Sequence, residues 1–277
     1  MIEFMKNYLL KTWHSSVTDW SFVAAALVSL SGIFFFVTKW HAAGYFSLFF
    51  ALSIASIVST KLFRDLSLIA IALVIMSFVP INTDISYEHM LVMGSAMVAI
   101  IAIPYLISRY VYKDYAIHFP WHFREPWARD KWLYLAFVGV IGYAVLPFYM
   151  ISTGVYMNWP AVSSADEVTR LFIGTNVLGI WDELFFICTV FVLLRRHFPF
   201  WQANMLQAIL FTSFLFELGF GSWGPYMIFL FALIQGFIFM RTQSLLYIVT
   251  VHLLFDLIFF MVLIHAHNPT VFPIFIY

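Results

Sequence analysis

From Trp20 almost to the last residue, long apolar blocks follow one another, each bounded by a short polar or charged segment. A helix that crosses the hydrocarbon core of a bilayer needs about 20 predominantly apolar residues. By that measure spans are expected at 20–38, 44–60, 66–82, 89–108, 132–151, 171–194, 201–220, 226–240 and 245–264. The fold class is therefore all-α: a polytopic transmembrane helical bundle of about nine spans. The block at 226–240 is short, which leaves eight as the alternative. Ahead of the first span, Ile2, Met5, Leu9 and Trp13 recur at helical spacing around Lys6 and Lys11, the pattern of a short interfacial helix in a cytoplasmic leader at 1–19. An unstructured leader is the other reading of that stretch. The first apolar block is too long for a cleavable signal core and runs on to Lys39.

Charge placement tests the count. With the N-terminus cytoplasmic, every lysine and arginine except Lys39 and Arg170 falls in an inner segment. That asymmetry favours nine spans with the N-terminus inside. Trp20, Trp40, Trp132, Trp201, Trp223 and Tyr226 stand near the expected ends, where amphipathic rings anchor. The longest inner loop, 110–131, is basic and aromatic, suited to anionic headgroups.

Composition agrees. Of 277 residues, 63% are apolar or aromatic and only 10% are charged. A soluble domain carries about a quarter charged residues, so this chain could not coat a water-facing globule. Fourteen basic and fourteen acidic residues balance, which gives no reason to expect a nucleic-acid partner. Cys188 is the single cysteine, expected in the core rather than as a nucleophile; an internal disulfide and a cysteine-built metal site are excluded.

Asp182, Glu183, Glu217 and Asp256 fall inside the expected spans, together with His252. Such groups are costly in a bilayer unless paired or facing water, and they mark functional sites. On the sixth span Thr175, Asn176, Gly179, Asp182 and Glu183 share one side by three- and four-residue spacing. On the seventh, Ser213, Phe216, Glu217 and Phe220 share a face. On the ninth, His252 and Asp256 stack as i and i+4. Glu183 and Asp256 lie at similar depth, about 16 Å from the inner ends of their spans at 1.5 Å per residue. These groups are expected to converge on one cavity. His265 and His267 are expected near the outer interface, with His267 on the His252–Asp256 face.

Three motifs then stand in order: Trp181-Asp182-Glu183-Leu184-Phe185-Phe186-Ile187, Phe216-Glu217-Leu218-Gly219-Phe220, and His252-Leu253-Leu254-Phe255-Asp256. With Gln235-Gly236 and Ser244-Leu245 between them, they resemble the CAAX protease and bacteriocin-processing (CPBP) family, glutamic-type intramembrane endopeptidases that include the type II CAAX prenyl proteases. That family has a Glu-Glu pair followed by Phe-Arg, then Phe-x-x-x-His, then His-x-x-x-Asn/Asp. Here Asp182 replaces the first glutamate, Ile187 the arginine, and Phe220 the second motif's histidine. The resemblance implies a four-helix core at 152–277 behind a five-span region at 20–151.

It also implies an intramembrane endopeptidase in which a carboxylate activates water against a peptide bond. Asp182 and Glu183 would be base and support, and His252 with Asp256 the electrophilic pair. Glu217 is the expected stand-in for the missing histidine. The implied partners are the lipid bilayer and a membrane-associated peptide or protein, in a multi-pass protein of the cell membrane. No cofactor is required, although so carboxylate-rich a set leaves a divalent metal open. A diverged member that binds a partner without cleaving it, and a proton- or ion-coupled carrier, are the other readings.

Overall fold

The computed structural model describes residues 19–121 and 126–275, so the leader expected at 1–19 falls, up to residue 18, outside the described residues, as does Arg124 of the inner loop. Among the described residues nine long helices follow one another and there is no strand. They are α1 (Asp19–Gly32, extended by a π-helical turn Ile33–Val37), α2 (His41–Val58), α3 (Thr60–Ser77), α4 (Tyr87–Leu106, with a π-helical turn Ile107–Tyr112) and α5 (Arg129–Thr153). The second group comprises α6 (Ala165–Asp182, continuing through a π-helical stretch Glu183–Phe191 to Val192–Arg195), α7 (Phe200–Glu217), α8 (Gly224–Thr242) and α9 (Leu245–His267). All nine lie where the apolar blocks predict them.

Seven are long and apolar enough to cross a bilayer, and with them the protein is an integral membrane protein. The two that fall short are α3 and α7, for the same physical reason. α3 begins six residues earlier than its apolar block and takes in Lys61, Arg64 and Asp65. α7 carries Gln202, Asn204 and Gln207. About half of each helix is buried against its neighbours, Asp65, Asn204 and Gln207 included, so these polar groups meet protein, while Lys61 and Arg64 stay exposed at the start of α3.

Local signals set the helix starts. Ser164 and Glu167 form a reciprocal capping box at α6, and Ser244 accepts from the Tyr247 amide at α9. Two connections place helices across the sequence division. α1 packs on α7, and α5 packs along α9, so the helices that surround the C-terminal core come from both halves.

An ionic knot fastens one end of α6. Arg196 Nη1 donates to Asp65 Oδ1 and to Asp114 Oδ2, both at 2.8 Å, and His197 Nε2 lies 2.6 Å from Asp65 Oδ2. Asp114 also accepts from the Ser108 hydroxyl at 2.8 Å and the Ala116 amide at 3.2 Å. Partial burial pushes the Asp114 carboxyl up, but these donors and the Arg196 charge together hold it below the usual carboxylate range. Asp65 lies in α3, so the knot ties α3 and the segment after α4 to the end of α6.

Candidate active site

The π-helical stretch begins where the chemistry does. Asp182 closes the α-helical part of α6 and Glu183 opens the wider turn. The Thr189 hydroxyl bonds five residues back, to the Leu184 carbonyl at 3.0 Å. π-Helical insertions re-aim side chains and occur frequently at functional sites. Here the change separates two adjacent acids. Asp182 lines a cavity of about 100 Å³, whereas Glu183, wholly buried, stands behind it.

Glu183 is clamped. Its Oε1 accepts from His252 Nδ1 at 2.7 Å and from Gln235 Nε2 at 2.6 Å. Gln235 is itself held by donating to the Ile248 carbonyl at 3.1 Å. The imidazole is flanked by Phe231, edge-on at 5.1 Å, and by Phe211 at 6.1 Å. Its Nε2 faces a gap between Asp182 Oδ2 and Asp256 Oδ1, each 3.8 Å away. Those distances exceed a hydrogen bond and leave room for a reacting group between them. Asp182 Oδ1, Glu183 Oε2 and Asp256 Oδ2 are buried without a hydrogen-bond partner.

Close helix approach makes this possible. Gly179 on α6 faces α9, where a Cβ would overlap Asp256 Oδ2 and stand 3.1 Å from His252 Cδ2. We expect Gly179→Ala to force α9 outward, lowering stability by about 1–3 kcal/mol. A thermal melt of the purified variant checks this; an unchanged midpoint would show that the helices yield. Gly236 does the same between α8 and α7, where a Cβ would overlap Asn204 Oδ1.

Apolar and aromatic groups complete the cavity, among them Phe220, Phe231, Phe259 and Trp159. Leu146 reaches it from α5, outside the four-helix core that the motifs imply. Trp159 packs edge-on against Phe220 at 5.6 Å and Phe259 at 4.8 Å. It lies in the connection between α5 and α6 and carries no motif, so only its burial reveals it. Gln235 was visible as part of Gln235-Gly236, but not as the second ligand of Glu183.

Four of the five expected site residues thus come together: Asp182, Glu183, His252 and Asp256. Glu217 does not. Its carboxylate pairs with Lys39, from the connection between α1 and α2, and takes no part in lining the cavity. The helical spacing that linked Glu217 to Phe220 fails because α7 ends at Glu217 and Gly219, at φ +96°, reverses the chain. Phe220 turns inward and Glu217 does not follow it. His265 and His267 stay out of the site as well. His265 is buried with Nδ1 3.2 Å from the Val271 carbonyl, and His267 Nε2 lies 3.0 Å from the Trp159 carbonyl. Cys188 is buried in the core, as expected. Among the described residues, no group of three or more His, Cys, Asp or Glu side chains is disposed to hold a metal ion.

With acid, imidazole and glycine in place across α6, α8 and α9, comparison with known families is informative. Residues 164–258 match the family model described as Type II CAAX prenyl endopeptidase Rce1-like. That segment is similar to the CPBP family. No curated protein matches the chain, and no solved structure does. The Rce1-like segment starts at the α6 capping box and ends just past Asp256, so it contains all three motifs and the whole acid–histidine cluster. The chain is accordingly a CAAX-protease-like membrane protein.

Proposed function

We propose that the protein is an intramembrane endopeptidase that hydrolyses a peptide bond in or beside the bilayer by carboxylate-activated water. The observation that carries this is the convergence of Asp182, His252 and Asp256 on one apolar cavity, with His252 held from behind by Glu183, which Gln235 fixes in turn. Asp182 is the base: its Oδ1 is unpartnered, and it takes a proton from the water that attacks the scissile carbonyl. Glu183 is the support, fixing the ring by accepting from Nδ1. With both ring nitrogens protonated, Nε2–H donates into the gap, where the carbonyl oxygen gathers negative charge. Asp256 stands 3.8 Å from that nitrogen, on the open side, and steadies the imidazole charge. The bundle sits in the cell membrane with nine spans and its N-terminus cytoplasmic, following the charge asymmetry.

The test is cleavage of a pooled membrane-peptide library by purified protein. The parent is expected to cut, and Asp182→Asn and His252→Ala are expected to lose the products while keeping the parent's melting temperature. Cutting that survives both substitutions would sink the assignment.

One observation favours a second reading, a member that binds a membrane peptide without cutting it. Phe220 lines the cavity at the place of the family's second-motif histidine, packed between Trp159 and Phe259. If the aromatic ring limits water activation, Phe220→His is expected to raise the cleavage rate by at least about tenfold, roughly 1.4 kcal/mol of barrier. A rate unchanged or lowered by Phe220→His would show that Asp182 needs no such partner here.

A further inference from the structure

A second cavity, of about 270 Å³, lies between α4 and the first half of α6. It is framed at both ends. At one, Arg170 donates to the Ile85 carbonyl and lies over the Tyr87 ring at 4.7 Å, while the Tyr87 hydroxyl donates to Asp166 at 2.5 Å. At the other, the Trp181 indole donates to the Met97 carbonyl at 2.9 Å. Between these two ties the lining on α6 runs from Leu171 to Leu178, about 10 Å at 1.5 Å per residue. It faces outward. Ile173 and Val177 are exposed, and a Cβ at Gly94 or Gly174 would meet no atom within 4 Å.

The lining divides by chemistry along its length. Met90, Met93, Met97, Val177 and Leu178 make a hydrocarbon wall, and Asn82, Thr83, Asp84 and His89 gather at one end. An extended peptide would leave backbone amides unpaired against that wall, which hydrocarbon surroundings penalise heavily. A hydrocarbon chain has no such requirement. At the polar end, His89 Nε2 is buried without a hydrogen-bond partner. The Ser86 amide and hydroxyl hold the exposed Asp84 carboxyl below its usual range, so a negative charge stands beside that imidazole.

We infer that this window is a phospholipid site, with one acyl chain along the methionines between α4 and α6 and an ammonium-bearing headgroup at Asp84 and His89. A phosphate oxygen accepts from His89, and the ammonium faces Asp84. Unlike an anionic lipid, such a head offers Asp84 a cation, and the Arg170 guanidinium at this end is already paired with Asp166. Trp159, Thr175 and Leu178 line both this window and the acid–histidine cavity. The chain therefore forms part of the partition between the site and the bilayer.

Native mass spectrometry of the whole protein tests this after equilibration with phosphatidylethanolamine or phosphatidylglycerol. The parent is expected to retain phosphatidylethanolamine about tenfold better than phosphatidylglycerol. Gly174→Phe and Gly94→Phe should each lose that retention, since both fill the window from helical positions with open space and so keep the parent's melting temperature. Asp84→Asn should abolish the preference between headgroups. Equal retention of both lipids by the parent, or unchanged retention in the glycine variants, would overturn the proposal. So would loss of cleavage of a bilayer-embedded peptide in Gly174→Phe with retention intact, because the window would then be a substrate passage. Retention is measured without any cleavage, so failure of the hydrolase reading leaves it unaffected.

Discussion

Glu183→Gln is expected to lower the cleavage rate by about 10²–10⁴-fold while the protein stays folded. The amide is nearly isosteric, and its oxygen can still accept from His252 Nδ1 and Gln235 Nε2, the two donors that now meet Oε1. What disappears is the negative charge behind the imidazole. Without it the Nδ1–H bond to Oε1 is no longer charge-assisted, and the ring is held less firmly toward the gap beside Asp182 and Asp256. Asp182→Asn should cause a loss of the same order by a different route, removing the base and leaving the ring's clamp intact. NMR of the His252 ring separates the two: its Nδ1 signal should shift strongly in Glu183→Gln, which alters its bonded partner, and less in Asp182→Asn, whose carboxyl stands 3.8 Å from Nε2. Full activity in Glu183→Gln would mean that the clamp is merely a tie between α6 and α9.

The largest effect on stability is expected away from the site. Asp65→Ala removes the shared partner of Arg196 and His197, leaving Arg196 with Asp114 alone and His197 without its contact. Asp65 is 1% exposed. Breaking a buried ionic group typically costs about 3–5 kcal/mol, and here Arg196 and His197, with side chains 21% and 11% exposed, lose the carboxylate they share. For a chain of this size that corresponds to a fall in melting temperature on the order of 10 °C. The activity of molecules that remain folded should be unchanged, since the knot lies at the opposite end of the π-helical stretch from Asp182. The neighbouring Asp114 adds a pH dependence whose sign is fixed by its depressed folded-state value. Its contribution is complete above the unfolded value near 3.8 and fades as pH falls through the lower folded one. A melt of Asp65→Ala matching the parent would reduce the knot to a surface decoration.

The knot itself was not legible beforehand. Asp65 sits just before an apolar block, Asp114 and Arg196 in segments that charge counting assigns to the inner face, and nothing in their spacing links positions so far apart. Glu217 shows the opposite failure. Helical spacing joined it to Phe220, but that rule holds only while the helix continues, and Gly219 ends its authority. Within unbroken helices the same rule served well. Gly179 and Asp182 on α6, and His252 and Asp256 on α9, meet as their three- and four-residue spacings require.

What the order of residues determined by itself was the all-helical membrane architecture, the positions of the nine helices, and the set of costly polar groups in the last four. The reason is local. A bilayer demands that backbone groups be satisfied within each segment, so the length and polarity of a segment suffice to define it. Only the tertiary structure decided which of those polar groups meet. It put Asp182 in the cavity and Glu183 behind it, paired Glu217 with Lys39, and brought Gln235 and Trp159 to the site. Those outcomes depend on a change of helical pitch, a reversed turn and the close approach of separate helices, which are settled by packing between segments and not within any one of them.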